Sequence, residues 1–163
     1  MNVKKKKTDK MLTINRLREL VTELVALMPE INSGKVVVTK EEISKFMSDH
    51  DTSDNTLLIG IVPEHDVSGS EDALMVENDL GFYLLDKTDY SEHDHDSFLD
   101  IFAKVQQTAF NLVEYITDKN ADGESKFCGL FQNIDDVTFP ISPVKGIEGC
   151  NGYFVGINFE TSF

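Results

Sequence analysis

Tryptophan is absent from the 163 residues, cysteine occurs twice and proline four times. Cys128 and Cys150 set up neither a disulfide framework nor the paired spacings of a zinc site, so the fold must rest on its own core. Long apolar runs are missing as well. The longest nearly apolar stretch, Leu57 to Val62, falls far short of the roughly 20 residues that cross a bilayer, and no membrane association is expected. Positive charge is scarce: 15 Lys and Arg face 29 Asp and Glu, for a net charge of -14. Residues 1–10, MNVKKKKTDK, hold five Lys and one Asp, a net of +4, which leaves -18 on the rest. A body so charged repels phosphate backbones, and specific nucleic-acid binding is not expected. There is no G-x-S-x-G elbow, no Gly-rich phosphate loop and no H-E-x-x-H pair. The expectation is a protein without enzymatic activity and without a cofactor.

Bulky core material is plentiful, with 11 Phe, 4 Tyr and 40% hydrophobic residues in all. That supports one globular domain over residues 11–163, preceded by a basic, flexible arm over residues 1–10. The stretch after the lysines, MLTINRLREL, places two Arg and a Glu where a secretory signal needs apolar residues, so a cytoplasmic location is expected.

Helical periodicity is clear in two places. Leu12, Leu17, Leu20, Val21, Leu24, Leu27 and Met28 predict an amphipathic helix from about Met11, ended by Pro29. Phe98, Ile101, Phe102, Val105, Ala109, Leu112, Val113 and Ile116 trace a longer apolar stripe, which must lie against a sheet or a partner. Strands are predicted at Val36–Val38, at Leu57–Val62 with Pro63 as its stop, at Leu74–Glu77 and at Phe82–Leu85. Residues 64–72 read as an acidic loop, and Asn78-Asp79-Leu80-Gly81 as a turn. Thr39-Lys40-Glu41-Glu42 has the capping-box pattern of a short helix through Met47. Phe127–Phe131 fits a short helix or a strand equally well. Two strands close the chain, at Val137–Val144 and Gly152–Phe163, the second alternating Tyr153, Val155, Ile157 and Phe159 with Phe154, Gly156, Asn158 and Glu160. The fold class is therefore α+β: a mixed or antiparallel sheet of about five strands against one long and one N-terminal helix.

Two stretches suggest metal chemistry. In Ser91-Glu92-His93-Asp94-His95-Asp96-Ser97-Phe98 two histidines lie among three carboxylates just before the long helix. Asp94 or Asp96 suits the N-cap, and acids there complement the helix dipole. His93 and His95 are two apart and share a side only in an extended chain, so a divalent ion would need a third ligand from elsewhere. His50 and His65 are remote in sequence. Asp118, Asn120 and Asp122, followed by Gly123, match the opening of a calcium loop. The twelfth position of that loop is Gly129 instead of a bidentate Glu, which removes its closing ligand. The residues equally suit a helix stop and turn. His93, His95, Asp118, Asn120 and Asp122 are the candidate ligands if any metal binds, and the capping and turn readings are preferred.

Phe139-Pro140-Ile141-Ser142-Pro143-Val144, a polar loop, and Cys150-Asn151-Gly152-Tyr153 opening an alternating last strand resemble small prophage neck and tail-completion proteins of Bacteroidetes-type bacteria. The element order is similar to that of tail-terminator proteins. The resemblance implies a ring-forming structural subunit assembled into a phage-like particle, and it carries no catalytic residues. The expected partner is another copy of the chain or another protein. The alternative is a small acidic binding module for a protein partner or a divalent metal.

Overall fold

In the computed structural model, residues 12–47 and 50–162 are described, and the basic arm expected over residues 1–10 lies outside them. Helix α1, Ile14–Leu27, is capped by Thr13, whose hydroxyl accepts from the Arg16 amide at 3.2 Å. It buries Leu17, Leu20, Val21 and Leu24, whereas Leu27, counted with the stripe, is 59% exposed. Strand β1, Ile31–Val37, leads through a 3-10 turn at Lys40–Ile43 and the one-turn helix α2, Ser44–Met47, to β2, Thr56–Ser70. Strand β3, Ala73–Lys87, returns antiparallel. Helix α3, His95–Lys119, then precedes β4, Ile141–Ile147, and β5, Cys150–Ser162.

The five strands form one mixed sheet in the order β1-β2-β3-β5-β4, with β1 and β2 parallel and every other pair antiparallel. Both long helices pack on one face: α1 over β1 and β2, α3 over β3 and β5. Leu17, Leu20, Leu24, Leu58, Phe82, Leu84, Val105, Leu112, Val155 and Ile157 share that core. At roughly 25 cal/mol per Å2 of apolar surface removed from water, burial of such side chains dominates the stability. A second, smaller core of Val37, Ile43, Met47, Leu57, Ile59, Leu85 and Cys150 covers part of the opposite face beneath the α2 segment.

The expected α+β class with an N-terminal and a long helix is what the chain adopts. The sheet has the five strands expected, but the segments predicted at Leu74–Glu77 and Phe82–Leu85 are one strand, β3, and β2 runs longer than expected. β2 does not stop at Pro63. β1 pairs with β2 only as far as Ile61, and the β2–β3 register shifts between Ile61 and Glu64, so the proline sits at a bulge on an edge where no partner needs its missing N–H. Residues 64–70 form no loop but continue the strand, and only Glu71 and Asp72 turn the chain. Asn78 to Gly81 is no turn either, being the middle of β3. Asn78 is fully buried there and uses its amide for hydrogen bonds. Phe127–Phe131 is neither helix nor strand, but a series of turns that drops Phe127 and Phe131 into the main core. Thr39 makes no side-chain cap; the Glu42 carboxylate accepts from the Val38 amide at 2.7 Å instead.

Candidate functional site

The two metal-suggestive stretches serve the backbone. Asp94 is the N-cap of α3, its carboxylate accepting from the Ser97 amide at 2.8 Å while Ser97 Oγ accepts from the Asp94 amide at 3.0 Å. The Ser97 backbone bond, then its hydroxyl, holds the Asp94 carboxyl below its ordinary value. His95 is the exposed first residue of α3, and half-buried His93 follows a 3-10 turn at Tyr90–Glu92. His50 is buried with Nδ1 3.7 Å from Asp54, and His65 Nδ1 lies 3.0 Å from Asn78 Oδ1. In the calcium-like stretch, Asp122 takes the Lys119 ammonium at 2.6 Å and the Glu124 amide at 3.0 Å. Asn120 caps α3 and clasps Phe131, accepting from its amide at 2.9 Å and donating to its carbonyl at 3.4 Å. Asp118 is exposed on the last turn of α3. Among the described residues, no three His, Cys, Asp or Glu side chains converge to hold a metal. Both cysteines are free, and Cys150 packs on Met47 with its sulfur 3.1 Å from Met47 Sδ.

Two polar centres were not visible to sequence reasoning. Glu23 on α1 accepts from Ser125 Oγ, from the Lys126 amide at 2.5 Å and from the Tyr115 hydroxyl at 2.9 Å, which ties α1 to α3 and to the 120–131 turns. Partial burial pushes the Glu23 carboxyl up, but these bonds outweigh it and leave the group below its ordinary value. Asn78 is the second centre. Its Oδ1 accepts from the buried Leu12 amide at 3.3 Å, and its Nδ2 donates to the Val76 and Phe159 carbonyls and to Thr161 Oγ1. This one amide joins the start of α1, β2, β3 and β5.

Beyond the α2 segment, the sheet face away from the helices is uncovered and forms an open groove of about 580 Å3. Its floor is aromatic: the Tyr83 and Phe154 rings meet at 4.9 Å. Gly81 and Gly156 stand opposite each other in register and make room for that floor. A Cβ on Gly81 would come 2.6 Å from the Phe154 ring, and one on Gly156 would come 2.8 Å from Pro140 Cγ. Val38, Thr39, Lys40 and Glu41 form one wall. Burial, with the Glu41 charge, pushes the Tyr83 hydroxyl above its ordinary value.

The groove opens onto an acidic surface. The outer ends of β2, β3 and β5 form a three-stranded arm, in which Glu64 pairs with Asp79, and Asp66 pairs with Glu77, itself opposite Glu160. Glu64 and Asp79 line the groove. Asp66, Glu77 and Glu160 lie two residues further along their strands and therefore point to the same side. All five carboxylates are exposed, and none has an ion-pair partner among the described residues. Like charges directly opposite one another on a sheet are destabilising, so this arrangement favours any cation that settles on it. Glu64 and Asp66 fall in the 64–72 stretch that sequence offers to a binding module as an acidic loop, whereas Glu77, Asp79 and Glu160 carry no such mark. The available signal was the i, i+2 spacing in Glu64/Asp66 and Glu77/Asp79, which becomes a shared face only once both segments are strands.

No family model and no curated protein matches the chain. Among the described residues, no helix is long and apolar enough to cross a membrane.

Proposed function

We propose that the chain is a non-enzymatic assembly subunit that associates with copies of itself through the three-stranded arm. The observation that carries this reading is the pair of open edges on the arm. Among the described residues, β2 beyond Ile61 has no strand on its outer side, and β5 has none beyond Asn158, the Gly156 amide being taken by the Pro140 carbonyl and both backbone groups of Asn158 by Thr138. Rows of unpaired backbone donors and acceptors are templates for another strand, and Val67 on β2 is 52% exposed beside them. The acidic side chains keep such an edge from pairing indiscriminately, as charges on natural edge strands do. Resemblance to prophage tail-completion and tail-terminator proteins gives the association the form of a ring within a phage-like particle. In such a ring an acidic lining lets DNA pass without sticking.

Light scattering after size exclusion, from micromolar to several hundred micromolar chain, tests the reading. A mass above one chain that grows with concentration or plateaus at a fixed multiple supports it. A single-chain mass throughout overturns it. The groove favours a second reading, an acidic module that binds a foreign protein segment. A strictly monomeric chain that still takes up a cationic peptide would select that reading.

A further inference from the structure

We propose that the occupant of the uncovered acidic face is the lysine run Lys4–Lys7 of a second copy of this chain. The inference rests on the self-association reading and names the contact that would drive it. Two observations point to this occupant.

The first is chemical fit. The face combines an aromatic floor, Tyr83 and Phe154, with the carboxylates of Glu64, Asp66, Glu77, Asp79 and Glu160. A lysine side chain has the matching halves, an aliphatic stem that lies on apolar or aromatic surface and an ammonium that reaches the rim. The chain is poor in cations, yet five of its 15 Lys and Arg fall within residues 1–10, and four are consecutive. Four adjacent ammonium groups offset all but one of the five carboxylate charges that the sheet leaves uncompensated.

The second is position. The described chain begins at Leu12, which is buried and whose amide is held by Asn78 Oδ1. Asn78 lies between Glu77 and Asp79 on β3, so residues 1–11 join the domain at the base of the acidic arm. Asn78 and Leu12 belong to the helix side of the sheet, whereas the carboxylates face the other way. Lys7 is five residue steps from Leu12, a span of at most about 18 Å. A run that starts on the helix side with so short a tether has to pass around its own sheet to reach its own carboxylates, whereas those of a second copy can be brought to it.

The test uses full-length chains throughout. One variant carries Lys4→Glu, Lys5→Glu, Lys6→Glu and Lys7→Glu; the other carries Asp66→Lys, Glu77→Lys and Glu160→Lys. The substituted strand positions are exposed, and removing three facing carboxylates relieves repulsion, so the second variant is expected to fold, as circular dichroism would verify. Light scattering at 50 mM salt reads the outcome. Each variant alone should associate at least about tenfold more weakly than the parent chain, and an equimolar mixture should regain a mass above one chain. Raising the salt to about 0.5 M should weaken the parent and the mixture alike. If either variant alone associates as the parent does, the lysine contact is wrong while self-association stands. If both variants weaken but the mixture stays monomeric, the lysines act within their own chain and the proposal falls. A parent chain that is monomeric under every condition overturns both this contact and the assembly reading.

Discussion

Replacing Asn78 with Ala should loosen the arm and the start of α1 together. The side chain is fully buried and makes five hydrogen bonds: Oδ1 to the Leu12 amide at 3.3 Å and to His65 Nδ1 at 3.0 Å; Nδ2 to the Val76 carbonyl at 3.2 Å, the Phe159 carbonyl at 3.3 Å and Thr161 Oγ1 at 3.2 Å. A net hydrogen bond is worth about 1 kcal/mol, and a buried group left without a partner costs about 1–3 kcal/mol. The Leu12 amide and the Phe159 carbonyl sit in buried surroundings, whereas half-buried His65 can turn to water. The loss should therefore be about 3–4 kcal/mol, a fall of roughly 6–16 °C in Tm at 2–4 °C per kcal/mol for a chain of this size. Urea denaturation followed by circular dichroism measures the first quantity. Hydrogen exchange should show the Leu12 amide and residues 73–79 opening sooner, with the α3 core least changed. Asn78→Asp provides a further check, because it turns a carboxyl oxygen toward two carbonyls. That carboxyl should hold its proton more tightly folded than unfolded, so the variant should be most stable at low pH and weaken as pH rises through its raised pKa. A loss below about 1 kcal/mol for Asn78→Ala, or unchanged exchange at Leu12, would refute the claim that this amide is the junction.

Three further outcomes are expected. Glu23→Gln should destabilise by about 1–2 kcal/mol, because one of its oxygens becomes a donor facing donors. The Glu23 carboxyl sits below its ordinary 4.5 when folded, so its contribution is complete above that value and fades as pH falls through the lower folded pKa; stability curves of parent and variant should converge in acid. Asp94→Ala should cost about 1 kcal/mol through loss of the α3 cap, while the double change His93→Ala and His95→Ala should stay within about 0.5 kcal/mol by thermal denaturation. Iodoacetamide at pH 8 should modify half-buried Cys128 first, since burial pushes the Cys150 thiol up to about 11 and shields it until the chain unfolds.

The legible parts of the fold were those whose periodicity reports burial on one side. Residues from Phe98 to Ile116 repeat at helical spacing because one side of α3 lies on β3 and β5, and the end of the chain alternates because β5 has one face under α3. The outer half of β2 gave no such signal. Asp66 to Ser70 are exposed on both faces, so no apolar alternation marks them as strand, and Pro63 imitates a stop just past the point where the β1 pairing ends. Asn78 and Gly81 imitate a turn because their side-chain chemistry is used elsewhere, in a buried junction and beneath the Phe154 ring. The site failed to show for a related reason. SEHDHDSF and the Asp118–Asp122 stretch concentrate polar atoms locally, and local concentration is what helix caps and turns require. The acidic face takes Asp66, Glu77 and Glu160 from three strands, and only their register brings them side by side.

The mass of the full-length chain in solution, followed against concentration at low and high salt, tests the central claim most directly. Self-association through the acidic arm predicts a multiple of the 18.3 kDa chain at about 50 mM salt that falls toward one chain at about 0.5 M. A mass of one chain at every concentration in low salt would contradict it.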